Sequence, residues 1–275
     1  MSAGDAPFMD YAARNGVILA TSDMGISPLA PGFMYGEGFF ETVAVRDERP
    51  RLLAEHHARL AASLHNVGTP PTSSCGEMHT RCARVIAANG LVNGSLKIVA
   101  FRDQYDWTEM IFARCAGYHP EDYKRGFRLL TLSCDLRVDT IHNMKSLNYY
   151  ENILSRRVAL DAGFDDTLLF DSNRRVLEGT MTNVFIVKDC VISTPALDAG
   201  ILPGVMRARI IKVLPRGSVR ERAIDIDEIP EADEVFVTNA LLGVMPVALI
   251  DRTSYGLEDN LVTRSITAAM AKAGG

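Results

Sequence analysis

GFFETVAVR, residues 38–46, is the stretch from which the fold is read. Its β-branched and aromatic residues alternate roughly with smaller and polar ones, which predicts a strand. Leu52–Leu64, LLAEHHARLAASL, follows it. Leu53, His56 or His57, Leu60 and Leu64 share one helical face there, so a helix packs behind the strand. Past the loop GTPPTSS, Glu77–Asn89 is a second helix. Ser95–Phe101 and Thr108–Arg114 then read as two strands joined by the polar turn RDQYDW. A linker is predicted over Gly117–Gly126, GYHPEDYKRG, where glycine, proline and charge cluster between two apolar runs.

Beyond the linker, Phe127–Cys134 is a strand, and Asn148–Ala162 is a helix that Gly163 ends as a C′ glycine does. Thr167–Phe170, Asn183–Val187 and Val191–Ser193 are short strands punctuated by turns at DSNR and KDC. Gly204–Leu214 is helical, Glu234–Thr238 is a strand and Asp259–Ala273 is a last helix. Strands in the middle of each half with helices outside predict α+β or mixed α/β rather than a doubly wound sheet. No GxGxxG follows a strand, which removes the usual support for dinucleotide binding.

At roughly 150 residues per domain, 275 residues suggest two domains. Apolar residues at 47% and charged residues at 23% are those of a globular chain and exclude a disordered one. Lys plus Arg number 29 against 34 Asp plus Glu, a net charge of -5, so the basic excess of a nucleic-acid binder is missing. No run approaches the ~18 apolar residues of a membrane span. MSAGDAPFMDYAARNG carries an early acid and no apolar core, so no signal peptide is expected. The five cysteines include no CxxC pair, which fits reduced thiols better than disulfides or zinc. The expectation is a soluble cytoplasmic protein.

Several residues stand out chemically. Lys145 lies between HNM and SLNYY, which are nearly uncharged. It is either a solvated loop lysine or an amine of depressed pKa that can attack a carbonyl. Glu178, in VLEGTMTNVFIV, would be partly buried and need a cation, a protonated pyridine nitrogen or an arginine. Pro203 and Gly204 precede a helical run in ILPGVMRAR, where backbone N–H groups form a phosphate seat, although most such junctions bind nothing. Arg59 is an ion-pair partner or a bidentate phosphate donor. His56 and His57 point in different directions on a helix and lack a third ligand, so no metal is expected. Together an amine nucleophile, a buried acid and a phosphate seat meet the needs of pyridoxal 5′-phosphate.

In this order, YGEGFFETVAV (Tyr35–Val45), EHHARL (Glu55–Leu60), KSLNYYENIL (Lys145–Leu154), LEGTMTNVFIV (Leu177–Val187), ILPGVMR (Ile201–Arg207) and EVFVTNALLGVMPV (Glu234–Val247) resemble the signatures of fold-type IV pyridoxal-phosphate enzymes. That family includes branched-chain and D-amino-acid aminotransferases and aminodeoxychorismate lyases. The resemblance implies a small N-terminal α+β domain (residues 1–117), a linker (118–126) and a larger C-terminal domain (127–275), with the cofactor between the domains. It makes Lys145 the Schiff-base lysine and proton shuttle, Glu178 the partner of the pyridine nitrogen, and Arg59 with the N–H groups of Val205 and Met206 the holders of phosphate. Tyr150, Asn183, Gly204, Asn239 and Ala240 fall at further cofactor positions, Asn148 at a supporting one, and Tyr35 and Arg102 at substrate positions. It also implies a small amino substrate and a homodimer.

Within the family, TNALLGVMPV resembles the lyase version, and aminotransferases more often carry Thr or Ser where Ala240 stands. Thr42 falls where the lyases place a threonine that protonates the leaving three-carbon fragment. Read from composition alone, it is simply a β-branched strand residue. The D-amino-acid enzymes' Arg-x-His pair is missing around Arg102. The resemblance is therefore nearest to the enzyme that converts 4-amino-4-deoxychorismate to 4-aminobenzoate and pyruvate, a step of folate biosynthesis. The alternative is an aminotransferase acting on branched-chain or D-amino acids with a 2-oxo acid. Glu37 in place of the commoner aspartate and Tyr150 are the departures from the lyase pattern.

Overall fold

The computed structural model describes residues 7–115, 117–134 and 143–273. The chain forms two compact units, Met1–Tyr118 with Met144–Asn148, and His119–Asn143 with Tyr149–Gly275.

The first unit has strands β1 (Phe8–Arg14), β2 (Val17–Ala20), β3 (Gly38–Arg46), β4 (Arg49–Pro50), β5 (Gly94–Asp103) and β6 (Asp106–Arg114), with helices α1 (Pro31–Tyr35), α2 (Leu53–Asn66) and α3 (Cys75–Asn89). The strands form one sheet in the order β2-β1-β6-β5-β3-β4. Because side chains alternate between faces, one face carries Phe39, Val43, Leu96, Ile98 and Ile111 and packs on Leu60 and Leu64 of α2 and on Met78 and Val85 of α3. The start of α3 is set by a capping box: Ser74 Oγ accepts from Glu77 N at 3.3 Å, and the Glu77 carboxylate accepts from Ser74 N at 2.8 Å.

Residues 144–148 join this unit through the backbone. Phe40 N donates to Lys145 O at 2.8 Å and Leu147 N to Gly38 O at 2.9 Å. The segment therefore lies beside the first residues of β3, while β4 pairs with its last two. Gly38 permits the approach, since a Cβ there would come within 2.7 Å of both Ala100 O and the Leu147 side chain. These bonds also explain why the helix expected from Asn148 begins two residues later. Asn148 is held outside it, its Nδ2 donating to Gly36 O at 3.3 Å.

The second unit contains α4 (Pro120–Arg125), β7 (Phe127–Ser133), α5 (Tyr150–Asp161), β8 (Asp166–Phe170), β9 (Val176–Gly179), β10 (Asn183–Lys188), β11 (Val191–Pro195), α6 (Val205–Val213), β12 (Val219–Arg222), β13 (Glu234–Asn239), β14 (Gly243–Ile250), β15 (Thr253–Ser254) and α7 (Leu261–Lys272). Its sheet runs β12-β11-β10-β13-β14-β7-β8-β9, with β15 on β14. The β11–β12, β14–β7 and β7–β8 pairs are parallel and the others antiparallel. Phe185 and Phe236 face each other across β10 and β13 and stack with centroids 4.8 Å apart. The mixed α and β architecture on two sheets is the one expected from the strand and helix pattern.

Among the described residues no helix is long and apolar enough to cross a membrane.

Candidate active site

In the first unit the chemistry is organised by three consecutive residues of β3. Phe40 supports Lys145 twice, through its N–H to the lysine carbonyl and through its ring, which lies 4.5 Å from Lys145 Nζ. A cation over an aromatic face is held by the ring quadrupole. Thr42, two residues on, projects from the same face as Phe40.

Glu41 projects from the opposite face and is 1% exposed. Its carboxylate accepts from Arg59 Nε at 2.8 Å and Arg59 Nη2 at 2.6 Å, and His56 Nδ1 lies 2.7 Å away. Burial alone would push this carboxyl up. The hydrogen bonds and charges of Arg59 and His56 outweigh burial and hold it down to about 2. Arg59 is thus fixed by a bidentate pair, which orients its planar fork.

Replacing Glu41 by glutamine removes the buried carboxylate that Arg59 grips and that His56 contacts. The variant is expected to lose about 3–5 kcal/mol of stability at pH 7. Because the folded carboxyl lies below its ordinary value, that stability is present above about pH 4.5 and is lost as pH falls toward about 2. Thermal melts of wild type and variant should therefore differ widely at neutral pH and converge in strong acid.

In the second unit, Glu178 is the penultimate residue of β9, before Gly179, and is partly buried. Leu202 N donates to its Oε1 at 3.1 Å and Asn183 Nδ2 to its Oε2 at 3.0 Å. Asn183 Nδ2 also reaches Leu202 O at 3.0 Å, tying the carboxylate to the loop that leads into α6. Gly204 is the N-cap of α6 and gives no side-chain cap. A Cβ at Gly204 would collide with Asn183 Oδ1, so a side chain there would break the arrangement around Glu178. Val205 and Met206 open the helix, where N–H groups have no intrahelical acceptor.

The remaining residues singled out from sequence fall as follows. Tyr150 opens α5 and is 66% exposed, while its neighbour Tyr149 donates its hydroxyl to Thr180 O at 2.5 Å. Asn239 Oδ1 accepts from Leu241 N and Leu242 N, each at 2.9 Å, and its Nδ2 donates to Met181 O at 3.2 Å. It builds the turn on which Ala240 sits. Tyr35 ends α1 and is 73% exposed, and Arg102 lies on β5 opposite Trp107. His57 Nε2 lies 2.8 Å from Ser73 O.

Sequence reasoning passed over Asp166. Fully buried on β8, it accepts from Thr167 N at 2.9 Å, from Thr180 N at 3.3 Å and from the Thr180 hydroxyl, and burial pushes its carboxyl up. It anchors the turn that follows Glu178. A charged residue opening the apolar run DTLLF was the available signal.

The amino-transferase class IV family matches residues 38–250, and the chain belongs to that family. Its members depend on pyridoxal 5′-phosphate, and the chain is a pyridoxal-phosphate enzyme. The chain is 26% identical to a D-alanine aminotransferase of Bacillus licheniformis, over 88% of this chain and 89% of that one. It is 25% identical to an aminodeoxychorismate lyase of Bacillus subtilis, over 92% and 90%. The crystal structure of the branched-chain amino acid aminotransferase of Escherichia coli superposes with a TM-score of 0.88 at 26% identity, covering 97% of this chain and 94% of the other. Taken unit by unit, the groups are of the chemical kinds the cofactor uses: the first unit offers an amine at Lys145, and the second a carboxylate held by two N–H donors and an uncapped helix start.

Proposed function

We propose that the protein is an aminodeoxychorismate lyase, which converts 4-amino-4-deoxychorismate to 4-aminobenzoate and pyruvate. The observation that carries this reading is Thr42, whose hydroxyl shares a sheet face with Phe40, the residue that supports Lys145 by backbone and ring. When bound, pyridoxal phosphate supplies a sink for the electron pair released at the substrate carbon that bears the amino group. Lys145 Nζ takes the proton from that carbon. Glu178, oriented by Asn183 and Leu202, keeps a proton on the ring nitrogen. Arg59, oriented by Glu41, and the N–H groups of Val205 and Met206 hold the phosphate. The C–O bond at the neighbouring carbon breaks, the ring becomes aromatic, and Thr42 Oγ1 relays a proton to the methylene carbon of the enolpyruvate that leaves.

The second reading is an aminotransferase for branched-chain or D-amino acids. It is favoured by Tyr150 and by the likeness to the Escherichia coli enzyme. Both readings use Lys145 and Glu178 alike, so the discriminating assay supplies 4-amino-4-deoxychorismate and measures 4-aminobenzoate and pyruvate. Amino-group exchange with 2-oxo acids and no 4-aminobenzoate would defeat the lyase reading. Thr42→Val should lower 4-aminobenzoate formation by about 10²-fold, the scale of a lost proton relay, with cofactor affinity unchanged within about twofold. Equal loss of both would make Thr42 structural.

The reading places the enzyme in the cytoplasm as a homodimer. Sedimentation should give twice the mass of the chain.

A further inference from the structure

Asp166 is fully buried at the start of β8, a strand that lies between β7 and β9 and continues as Thr-Leu-Leu-Phe. A carboxylate in such a place is retained where donors surround it. Its Oδ1 accepts from Thr167 N, Thr180 N and the Thr180 hydroxyl, and its Oδ2 accepts from the Thr182 hydroxyl at 3.4 Å. Burial pushes the carboxyl up, while the Thr180 and Thr167 donors and the charge of Arg156 on α5 favour its ionised form.

Thr180 and Thr182 belong to the turn 179–182, which leads from β9 to β10. β9 pairs with β8, and β10 with β11 and β13, so among the described residues no ladder between β9 and β10 sets the shape of this turn. Side chains set it instead. Asp166 takes the N–H and hydroxyl of Thr180, while Thr180 O accepts from Tyr149 Oη at 2.5 Å and from Asn152 Nδ2 at 2.8 Å, both at the start of α5. Gly179 N closes the turn onto Thr182 O at 2.8 Å. A Cβ at Gly179 would come within 2.9 Å of Asp166 Oδ2 and collide with the Thr182 hydroxyl, so the turn is packed directly on the carboxylate. The residues at its two ends are Glu178 and Asn183, which meet at 3.0 Å and share the loop before α6.

We propose that Asp166 is a positioning residue of the active site: by gripping Thr180 and Thr182 it fixes the turn whose ends carry Glu178 and Asn183, and so aims the Glu178 carboxylate at the ring nitrogen of pyridoxal phosphate. The inference rests on the role given to Glu178 above and deepens it. Asp166 acts through Glu178 and not on the cofactor directly. A carboxylate displaced by about an ångström loses most of its hold on a proton shared with the ring, because hydrogen-bond strength falls steeply with distance and angle.

The test follows the visible band of the cofactor-loaded protein across pH in wild type, Glu178→Gln, Asp166→Ala, Asp166→Asn and Thr180→Val. A protonated ring repels the proton on the nitrogen that joins lysine and cofactor, so losing the ring proton raises the pH midpoint of the band. Asp166→Ala should raise that midpoint in the same direction as Glu178→Gln, by about one pH unit, and lower kcat about tenfold with KM within about threefold. Thr180→Val removes one donor from the grip and should move the midpoint the same way by less. Asp166→Asn keeps an acceptor for the Thr167 and Thr180 donors, and its NH₂ can donate to the Thr182 hydroxyl, so it should restore both midpoint and kcat to within about threefold of wild type. In the Glu178→Gln background, Asp166→Ala should cost less than about twofold in kcat, because the group it aims is gone. A merely structural Asp166 would lower the melting temperature and leave the midpoint in place. Midpoints unmoved in Asp166→Ala and Thr180→Val overturn the assignment, as does an equal kcat loss with and without Glu178. Should Asp166→Ala fail to fold, Thr180→Val decides by its midpoint alone. An unmoved midpoint in Glu178→Gln itself would instead defeat the role of Glu178, and the inference with it.

Discussion

Lys145→Ala is expected to lower turnover by roughly 10⁴-fold or more, because the proposed function gives one amine two roles, cofactor tether and acid–base group. The visible absorption band of the tethered cofactor should disappear with it. The substitution is clean because the local fold does not depend on the side chain. The segment is fixed to β3 by Phe40 N to Lys145 O and Leu147 N to Gly38 O, both backbone bonds that alanine keeps. The side chain is lost from the Phe40 ring, a contact of about 0.5–2 kcal/mol, so the unit should remain folded. Cofactor affinity should fall, yet the groups proposed to hold phosphate are unaltered, and added pyridoxal phosphate should still bind without the band. Partial recovery of turnover with a small exogenous amine would show that the missing amine is responsible. Retention of either the band or the activity in Lys145→Ala would remove Lys145 from the chemistry.

Much of this arrangement was legible because strand alternation and helical periodicity report burial directly. GFFETVAVR is β3 at its expected boundaries, since its core-facing residues recur at every second position. Other elements hid behind residues that mark turns or ends. The β1–β2 hairpin turns at Asn15–Gly16, both at positive φ, with Arg14 opposite Val17. Asn-Gly is the strongest short hairpin signal, and it lay within a stretch weighed only as a leader. β14 carries Pro246, a residue that argues against a central strand. It is tolerated because pairing with β7 begins only at Val247.

The candidate lysine and acid could be singled out from composition contrast, but the cluster that fixes Arg59 could not. Arg59, His56 and Glu41 come from one helix and one strand, and nothing in helical spacing brings Glu41 to them. A usable signal existed in parity: Glu41 stands between Phe39 and Val43 on the core-facing side, where a charge requires partners.

Glu178→Gln should lower kcat by about 10²–10³-fold while cofactor affinity changes less than about tenfold. Both Glu178 oxygens accept from N–H groups, Oε1 from Leu202 and Oε2 from Asn183, so the surroundings are built for an acceptor on each side. A glutamine must turn its NH₂ toward one of these donors and cannot satisfy both. It also lacks the negative charge needed to keep a proton on the cofactor's ring nitrogen, and the ring then withdraws electrons less strongly in the step that removes the Cα proton. The N–H groups of Val205 and Met206 proposed to hold phosphate are untouched, so binding and rate should separate. Asn183→Ala tests the orienting role, since it keeps the carboxylate and removes one of its two donors. It should cost less in kcat than Glu178→Gln, about tenfold, the scale of one hydrogen bond to a charged group. A Glu178→Gln variant with kcat within about threefold of wild type would show that the carboxylate does not act on the ring nitrogen, and an Asn183→Ala loss larger than that of Glu178→Gln would place the catalytic effect on the asparagine instead.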